Sequence, residues 1–563
     1  MTIKHIDRKT KFRIFLVFFF LISLLATLYY TLASDYPGVD YYFHLRRFNV
    51  LIQALSDGQY PFYIDTTLIE SYGYNVKSFY PDLILLPFAF IGIFTGALFA
   101  YNLMLFTATF LCGVFTYKLA ERIYNSPFTA VISAILFTFC LYRMFDIYHR
   151  AALGEILSFT FVPIVFLGLY EILKGDYKKW YILTIGISLM IYTHLISSVL
   201  IFILILLFCV ISYKSFLDNP KRLLFLILSG LISLPIVASY IIPMLEQISS
   251  NSFKFNSHVG ELWRGQLAIS ALIKGLLGGI VFQNRMVIYG SGIGVLLFAP
   301  ILLRFFVKEK SEKLYMTDII VIIGIFLIFT TTYLFPWSSP YLQFFQFIQF
   351  PWRWLEFSSF SFAIAGGFYL SQIVTSQRNR IVTCTVVIIL SFLSTINYIN
   401  HFEREYTEGK VSPWEEEYLT EEPTIHNSYY IIGGEYLPAK VPSIFYIHDR
   451  GDSISVNNAD SKISRFKRED TILKFTVNIA EADSLTLPLI YYKGYTALLN
   501  NKDLPITQST HGLIQIPVNE TGNVKVYYEG TIIQKVSFGI SILAIFALCI
   551  YILIQRRKKP FKT

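Results

Sequence analysis

The chain has 563 residues, 54% of them hydrophobic and only 15% charged, with a mean hydropathy of +0.53. Soluble domains carry about 25% charged residues, so this composition excludes an ordinary water-soluble protein and points to a polytopic membrane protein. The formal charge of +9 does not indicate nucleic acid, because the Lys and Arg stand in short tracts between apolar runs, where they act as topology signals.

The first apolar run, about Phe15 to Leu32, follows Lys4, Arg8, Lys9, Lys11 and Arg13 and is too long for a signal-peptide core. The last, about Val536 to Ile554, ends in Arg556, Arg557, Lys558 and Lys559. Both termini are expected to be cytoplasmic. Thirteen apolar runs start near residues 15, 80, 99, 128, 152, 181, 195, 222, 286, 315, 356, 380 and 536. Thirteen crossings cannot leave both ends on one side, so one run among those near 80, 99 and 128 is expected not to cross.

The expected fold is a polytopic α-helical membrane protein of about 12–13 membrane helices, with a small extracytoplasmic antiparallel β domain before the last span. Residues 1–399 form the transmembrane domain, with outer loops at 34–80, 142–155, 246–285 and 335–353. Residues 400–535 form the outer domain, where Thr471–Ile479, Ser484–Tyr491, Leu513–Val518 and Asn523–Tyr528 alternate with period two. Residues 536–563 are the last span and a basic tail.

The five cysteines (Cys112, Cys140, Cys209, Cys384, Cys549) all fall in apolar runs, without a disulfide framework or a zinc pattern. The chain contains no GxxxxGK[ST], HExxH or GxSxG motif. Gly290, Gly292 and Gly294 open a span, where close helix packing explains them better than a dinucleotide. No metal or cofactor is expected. An already activated substrate is the expected energy source, and lipid-linked phosphates meet that need.

The span centres are nearly free of charge and the outward ends are crowded. A proton-coupled transporter should place ionisable groups near the midplane, whereas an enzyme of the outer surface should place them at the outward ends. From Tyr41 onward, Phe43, Arg47, Val50, Leu51, Ala54 and Leu55 recur at helical spacing, as in an amphipathic surface helix. Asp40 stands at its N-terminus and His44 one turn later. Asp40 could simply cap that helix, or it could act chemically. A second cluster holds Arg143, Asp146, His149, Arg150 and Glu155; His194 sits in a break between two runs; and FQFIQFPWRWLEF holds Arg353 and Glu356. Arg353 reads either as a snorkelling arginine in an aromatic belt or as a fork held by Pro351, Trp352 and Trp354.

GVDYYFHLRR, HRAALGE, the TH break, QFPWRWL and GGEYLP, in that order, together resemble the 6-pyruvoyl-tetrahydropterin synthase-related, or YfhO-like, membrane family. The resemblance extends into the segment LPLIYYKGYTALL (Leu487–Leu499). That family is similar to the GT-C glycosyltransferases, which use polyprenyl-phosphate sugars at the outer membrane face. The resemblance implies that Asp40 is the catalytic base and that His44 is its neighbouring histidine. It implies that Arg150, Glu155, His194, Arg353 and Glu435 are motif positions that bind substrate or phosphate. Asp35 and Asp40, five apart, depart from a DxD pair, which argues against a metal site.

The expected activity is an inverting transfer of a sugar to a cell-surface polymer, teichoic acid or similar, at the outer face of the plasma membrane. The expected partners are the lipid-linked donor, a polysaccharide or teichoic-acid acceptor, membrane lipids, a donor-synthesising glycosyltransferase and a flippase, with no nucleic acid. The alternatives are a lipid or polysaccharide transporter and a scaffold for wall assembly.

Overall fold

The computed structural model describes residues 7–33, 38–256, 262–278, 293–308, 310–408 and 434–557. Asp35, Gly290, Gly292, Lys558, Lys559 and residues 409–433 of the expected outer domain lie outside the described residues.

The first helices are α1 (Arg8–Ala33), α2 (Tyr41–Ser56), α3 (Leu86–Thr95), α4 (Ala97–Tyr124), α5 (Pro127–Thr138), α6 (Leu141–Phe145) and α7 (Leu153–Leu173). They are followed by α8 (Tyr181–Ile191), α9 (Leu195–Ile211), α10 (Tyr213–Asp218), α11 (Lys221–Ile236), α12 (Ala238–Ser250) and α13 (Ile269–Gly278). Next come α14 (Gly294–Leu302), α15 (Glu312–Thr330), α16 (Leu355–Ile373), α17 (Gln377–Thr407) and α18 (Ile444–Arg450). Among the described residues, eight strands and a last helix, α19 (Ile532–Arg557), follow.

Among the described residues seven helices are long and apolar enough to cross a bilayer: α1, α4, α5 with its continuation to Arg150, α7, α15, α17 and α19. The pair α11 and α12, bent by 69°, makes up to eight. The difference from about thirteen apolar runs is one of length and polarity. The run near residue 80 is the ten-residue α3, which at about 1.5 Å per residue reaches only half of a roughly 30 Å hydrocarbon core. The runs near 181 and 195 are helices of 11 and 17 residues, separated by Tyr192–His194. The run near 356 is α16, whose serines and glycines are buried along most of its length.

The chain divides into two compact units, the first made of Met1–Leu45, Phe94–Ser233 and Gly260–Glu417. At its centre α16 packs against α5, α14 and α15, while α4 packs on α1, α5 and α7. Small residues allow these approaches. A Cβ on Gly367 of α16 would fall 2.3 Å from Ser133 Oγ of α5, and one on Gly168 of α7 would fall 2.3 Å from Leu183 N of α8. Helix starts are written locally: Ser126 and Ser311 cap α5 and α15 by accepting from Thr129 N–H and Leu314 N–H at 3.2 Å each. The basic tracts end in ion pairs, Arg122 and Lys179 on Glu171 (2.6 and 3.1 Å) and Arg304 on Asp318 (2.7 Å).

The second unit is Arg46–Ile93, Leu234–Val259 and Tyr418–Thr563, in which α12 packs against α19. Its strands are β1 (Lys462–Glu469), β2 (Ile472–Asn478), β3 (Asp483–Ile490), β4 (Tyr495–Leu499), β5 (Lys502–Leu504), β6 (Thr507–Gln508), β7 (Leu513–Val518) and β8 (Gly522–Tyr528). They form a five-stranded sheet, β1-β2-β8-β4-β5, and a three-stranded sheet, β3-β7-β6, with antiparallel pairing throughout. The alternation seen in the sequence sets the register. Leu473 and Phe475 face Val526 and Val524, all four buried. Asn500 and Asn501, both with positive φ (51° and 66°), make the two-residue turn between β4 and β5, as such hairpins require.

Two expectations meet the structure differently. Helix α2 forms as an amphipathic helix, with Phe43, His44, Arg47, Phe48, Leu51 and Ala54 buried. The segment 142–155, expected as an outer loop, is instead folded into α6, a π-helical turn at Asp146–Arg150 and the start of α7, and is almost wholly buried. Arg150 pairs there with Asp146 and Glu155, which lets these three charges leave water.

Candidate active site

The site is assembled in the first unit around the turn that precedes α2. Gly38 has a φ of +80°, and a Cβ there would lie 2.8 Å from Ala151 Cβ, so the position suits only glycine. The close approach aligns two backbone hydrogen bonds: Val39 N–H donates to His149 O (2.9 Å) and Asp40 N–H to Arg150 O (2.8 Å). Ala151 itself is left-handed (φ 51°), which costs about 1–2 kcal/mol for a residue with a Cβ. Ala152 N–H closes the π-helical turn on Asp146 O at 3.1 Å. Asp40 is thus fixed by its backbone against Arg150, and its carbonyl accepts from His44 N–H (3.1 Å) to start α2.

The π-helical turn aims Arg150 at two carboxylates. Its Nη1 lies 2.9 Å from Asp146 Oδ1 and 2.8 Å from Glu155 Oε2. Glu155 Oε1 accepts from the Tyr142 hydroxyl (2.5 Å), and Arg353 Nε stands 3.6 Å from Glu155 Oε2. Arg353 is oriented by the turn Pro351–Trp354: Nη1 donates to Ile348 O (3.1 Å), and the guanidinium lies 5.4 Å from the Phe350 ring centroid. Two arginines therefore share one nearly inaccessible carboxylate, an arrangement that a solvated belt arginine would not show. A second chain of polar groups runs behind. His194 Nδ1 caps α9 through Ser197, whose hydroxyl donates to Glu356 Oε2 (2.7 Å), while Ser158 donates to Oε1 (2.7 Å).

Burial pushes the Asp40 carboxyl up to about 6, with Arg150 and then Arg353 pulling it down and Glu155 pushing it up. That value suits a group that must take up a proton near neutral pH. Among the described residues no group of three or more His, Cys, Asp or Glu side chains comes together as a metal site.

The structure thus gathers Asp40, Arg150, Glu155 and Arg353, and places His194 on the hydroxyl chain behind them. His44 is buried one turn after Asp40, its ring edge-on to Phe43 at 5.0 Å. Arg143 belongs to the packing, donating to Thr138 O and Thr109 Oγ1 at 3.1 Å each. Glu435 belongs to the second unit, where its carbonyl accepts from Phe255 N–H (3.0 Å) and the adjoining Tyr436 stacks on Phe79 at 4.6 Å. Tyr142, Ser158 and Ser197 were not singled out from sequence. The available signal was spacing, since Ser158 follows Glu155, and Ser197 follows His194, by three residues, one helical turn.

The family model described as "6-pyruvoyl-tetrahydropterin synthase related domain; membrane protein" matches residues 78–403. The chain belongs to that family. The matched range includes the Arg150–Glu155–Arg353 cluster, while Asp40, His44 and Glu435 stand outside it. A protein of Lactococcus lactis subsp. cremoris (strain MG1363), named only as uncharacterized, is 24% identical over 262 residues. Those residues are 44% of this chain and 42% of that protein. Among solved structures the chain is similar to the arabinofuranosyltransferase AftD from Mycobacteria, with a TM-score of 0.46 and 14% identity. The likeness covers 68% of this family member and 26% of AftD, so the chain spans less than half of either relative.

Proposed function

We propose that the protein is an inverting membrane glycosyltransferase of GT-C type, which moves a sugar from a polyprenyl-phosphate donor to a cell-surface polymer such as a teichoic acid. The observation that carries this reading is the pinning of Asp40 beside two arginines that share Glu155. In the reaction an acceptor hydroxyl attacks the anomeric carbon and passes its proton to Asp40. The bond from that carbon to the phosphate oxygen breaks, and the phosphate leaves with the electron pair. Arg150 and Arg353 stabilise the charge growing on it. Glu155 holds both guanidiniums in place beforehand, so little reorganisation is needed as charge develops. His194, through Ser197 and Glu356, supports that wall of the site, and His44 lies beside the base.

The test is chemical: wall and lipoteichoic polymers from cells with and without the protein, compared by mass spectrometry. A hexose or N-acetylhexosamine substituent missing in its absence supports the transfer and identifies the sugar. Identical polymers count against it.

Arg353→Lys distinguishes a fork from a simple charge. A snorkelling arginine is replaceable by lysine, whereas a fork that grips phosphate is not. The variant is expected at normal abundance in the membrane, with transfer lowered roughly 10- to 150-fold, as for the loss of one hydrogen bond to a charged group. The fall should appear in kcat as well as in donor affinity. Wild-type values for both parameters would make Arg353 an anchoring residue.

The proposed orientation puts the β domain and the loop before Pro340 outside. In a background lacking the five native cysteines, single cysteines at Ser338 and Ser453, both exposed, should react with an impermeant thiol reagent in intact cells. Labelling only after permeabilisation would reverse the orientation.

A further inference from the structure

The exposed face of the five-stranded sheet carries lysines that the strand register sets side by side. Lys467 of β1 lies opposite Lys474 of β2, and Lys474 lies opposite Lys525 of β8. Beyond Lys525 the row continues through Leu498 of β4 to Asp503 of β5. All three lysines are exposed, while Leu473 and Phe475 beside Lys474, and Val524 and Val526 beside Lys525, are buried. Side chains directly opposite stand about 4.5–5.5 Å apart at Cβ, and like charges in that relation oppose strand pairing. Lysine on an edge strand guards against aggregation, which accounts for Lys467. It does not account for Lys474 and Lys525, because β2 and β8 are interior strands.

Little on this face offsets the charge. Lys474 reaches Glu469 at 3.5 Å, but the side chains are 48% and 67% exposed, so the pair is worth little. The Lys525 ammonium lies 4.6 Å from the Tyr527 ring centroid, and Lys467 makes no ion pair among the described residues. Asp503 is two strands from Lys525, about 10 Å away. At the β1 end, the bulge between Ser464 and Lys467 adds the exposed Arg465. The next row of the same face is polar: Ser464 opposite Thr476, and Thr476 opposite Asn523. A line of cations flanked by hydroxyl and amide groups complements a chain in which phosphates alternate with hydroxyl-bearing carbons. A lipid surface fits less well, since a face that enters a membrane needs apolar side chains to bury. We propose that the lysine row of the β domain docks an anionic polyol-phosphate chain. Its phosphates sit on Lys467, Lys474 and Lys525, and its hydroxyls meet the neighbouring polar row. The identity of that chain as the acceptor rests on the transferase reading, but docking is measured without sugar transfer, so either can fail alone.

The test uses the full chain in nanodiscs of zwitterionic lipid and a fluorescent synthetic hexamer of glycerol phosphate, read by anisotropy. The hexamer should bind with a dissociation constant below about 1 mM. Binding should weaken at least about tenfold as NaCl rises from about 0.05 M to about 0.5 M. The triple variant Lys467→Gln/Lys474→Gln/Lys525→Gln should weaken it at least about tenfold. Its melting temperature should equal or exceed that of wild type, because a row of like charges has been removed. Lys525→Glu faces Lys474 with the opposite charge and should also weaken binding, which keeps the test decisive if the triple variant folds poorly. Lys440→Gln/Lys493→Gln/Lys502→Gln removes three exposed lysines outside the row and should bind within about twofold of wild type. The proposal is overturned if the hexamer does not bind, or if Lys525→Glu and the folded triple variant bind it as wild type does. It is equally overturned if the control variant loses as much, or if vesicles of phosphatidylglycerol engage the row and the hexamer does not.

Discussion

Asp40→Asn should leave the protein folded and inserted while lowering sugar transfer at least about 100-fold. The turn that presents Asp40 is held by its backbone, through Val39 and Asp40 N–H groups on His149 and Arg150 carbonyls. An amide of the same shape therefore stays in place and can still serve a helix start, but it cannot accept the proton of the attacking hydroxyl. The pH profile adds an independent check. Because the folded-state value is raised to about 6, the carboxyl is protonated and idle below that pH and becomes a working base as pH rises through it. With purified protein and a polyprenyl-phosphate sugar, kcat/KM should climb with pH with a midpoint near 6 in wild type. The residual activity of Asp40→Asn should lack that limb. Near-normal turnover of the variant, or a wild-type profile flat through this range, would remove Asp40 from the chemistry.

The largest effect on stability is expected at Glu155. Its carboxylate is the shared counter-ion of Arg150 and Arg353 and also accepts from Tyr142. Glu155→Ala leaves two guanidiniums facing each other in a site almost closed to water, a change that costs about 3–5 kcal/mol. Glu155→Gln keeps the volume and one acceptor and should be milder, though still impaired in transfer because the arginines lose their common anchor. Glu312 is the contrast. It pairs with Lys174 at 2.8 Å, but the two side chains are 73% and 39% exposed, so its removal should cost at most about 1 kcal/mol. Thermal unfolding in detergent should rank the variants Glu155→Ala, Glu155→Gln, Glu312→Ala from least to most stable. Equal melting temperatures for all three would mean that the Glu155 cluster is solvated in the membrane.

Much of this was legible in the chain itself. Apolar runs and period-two alternation specify membrane helices and strands because burial of side chains follows backbone periodicity, which is a local property. The serine caps of α5 and α15 and the Asn500–Asn501 turn are local in the same way. The charged motif positions were visible too, because unpaired charge is expensive beside lipid and its presence is informative wherever it occurs.

Tertiary packing alone decided how those parts combine. The segment 142–155 reads as a solvated turn, since its charges are mixed and close together; only the fold shows that Arg150 answers Asp146 and Glu155, and that Arg353, some two hundred residues on, answers the same Glu155. Ser158 and Ser197 gain a role only because Glu356 arrives between them from a distant helix. Gly38 reads as an ordinary turn glycine until Ala151 is found against it. Likewise the length of an apolar run did not by itself give the length of its helix, as α3 and the broken pair α8 and α9 show. The physical reason is the same in each case: periodicity and capping are set by neighbours within a few residues, whereas the partner of a buried charge is chosen by which helices pack together, and that depends on the whole chain.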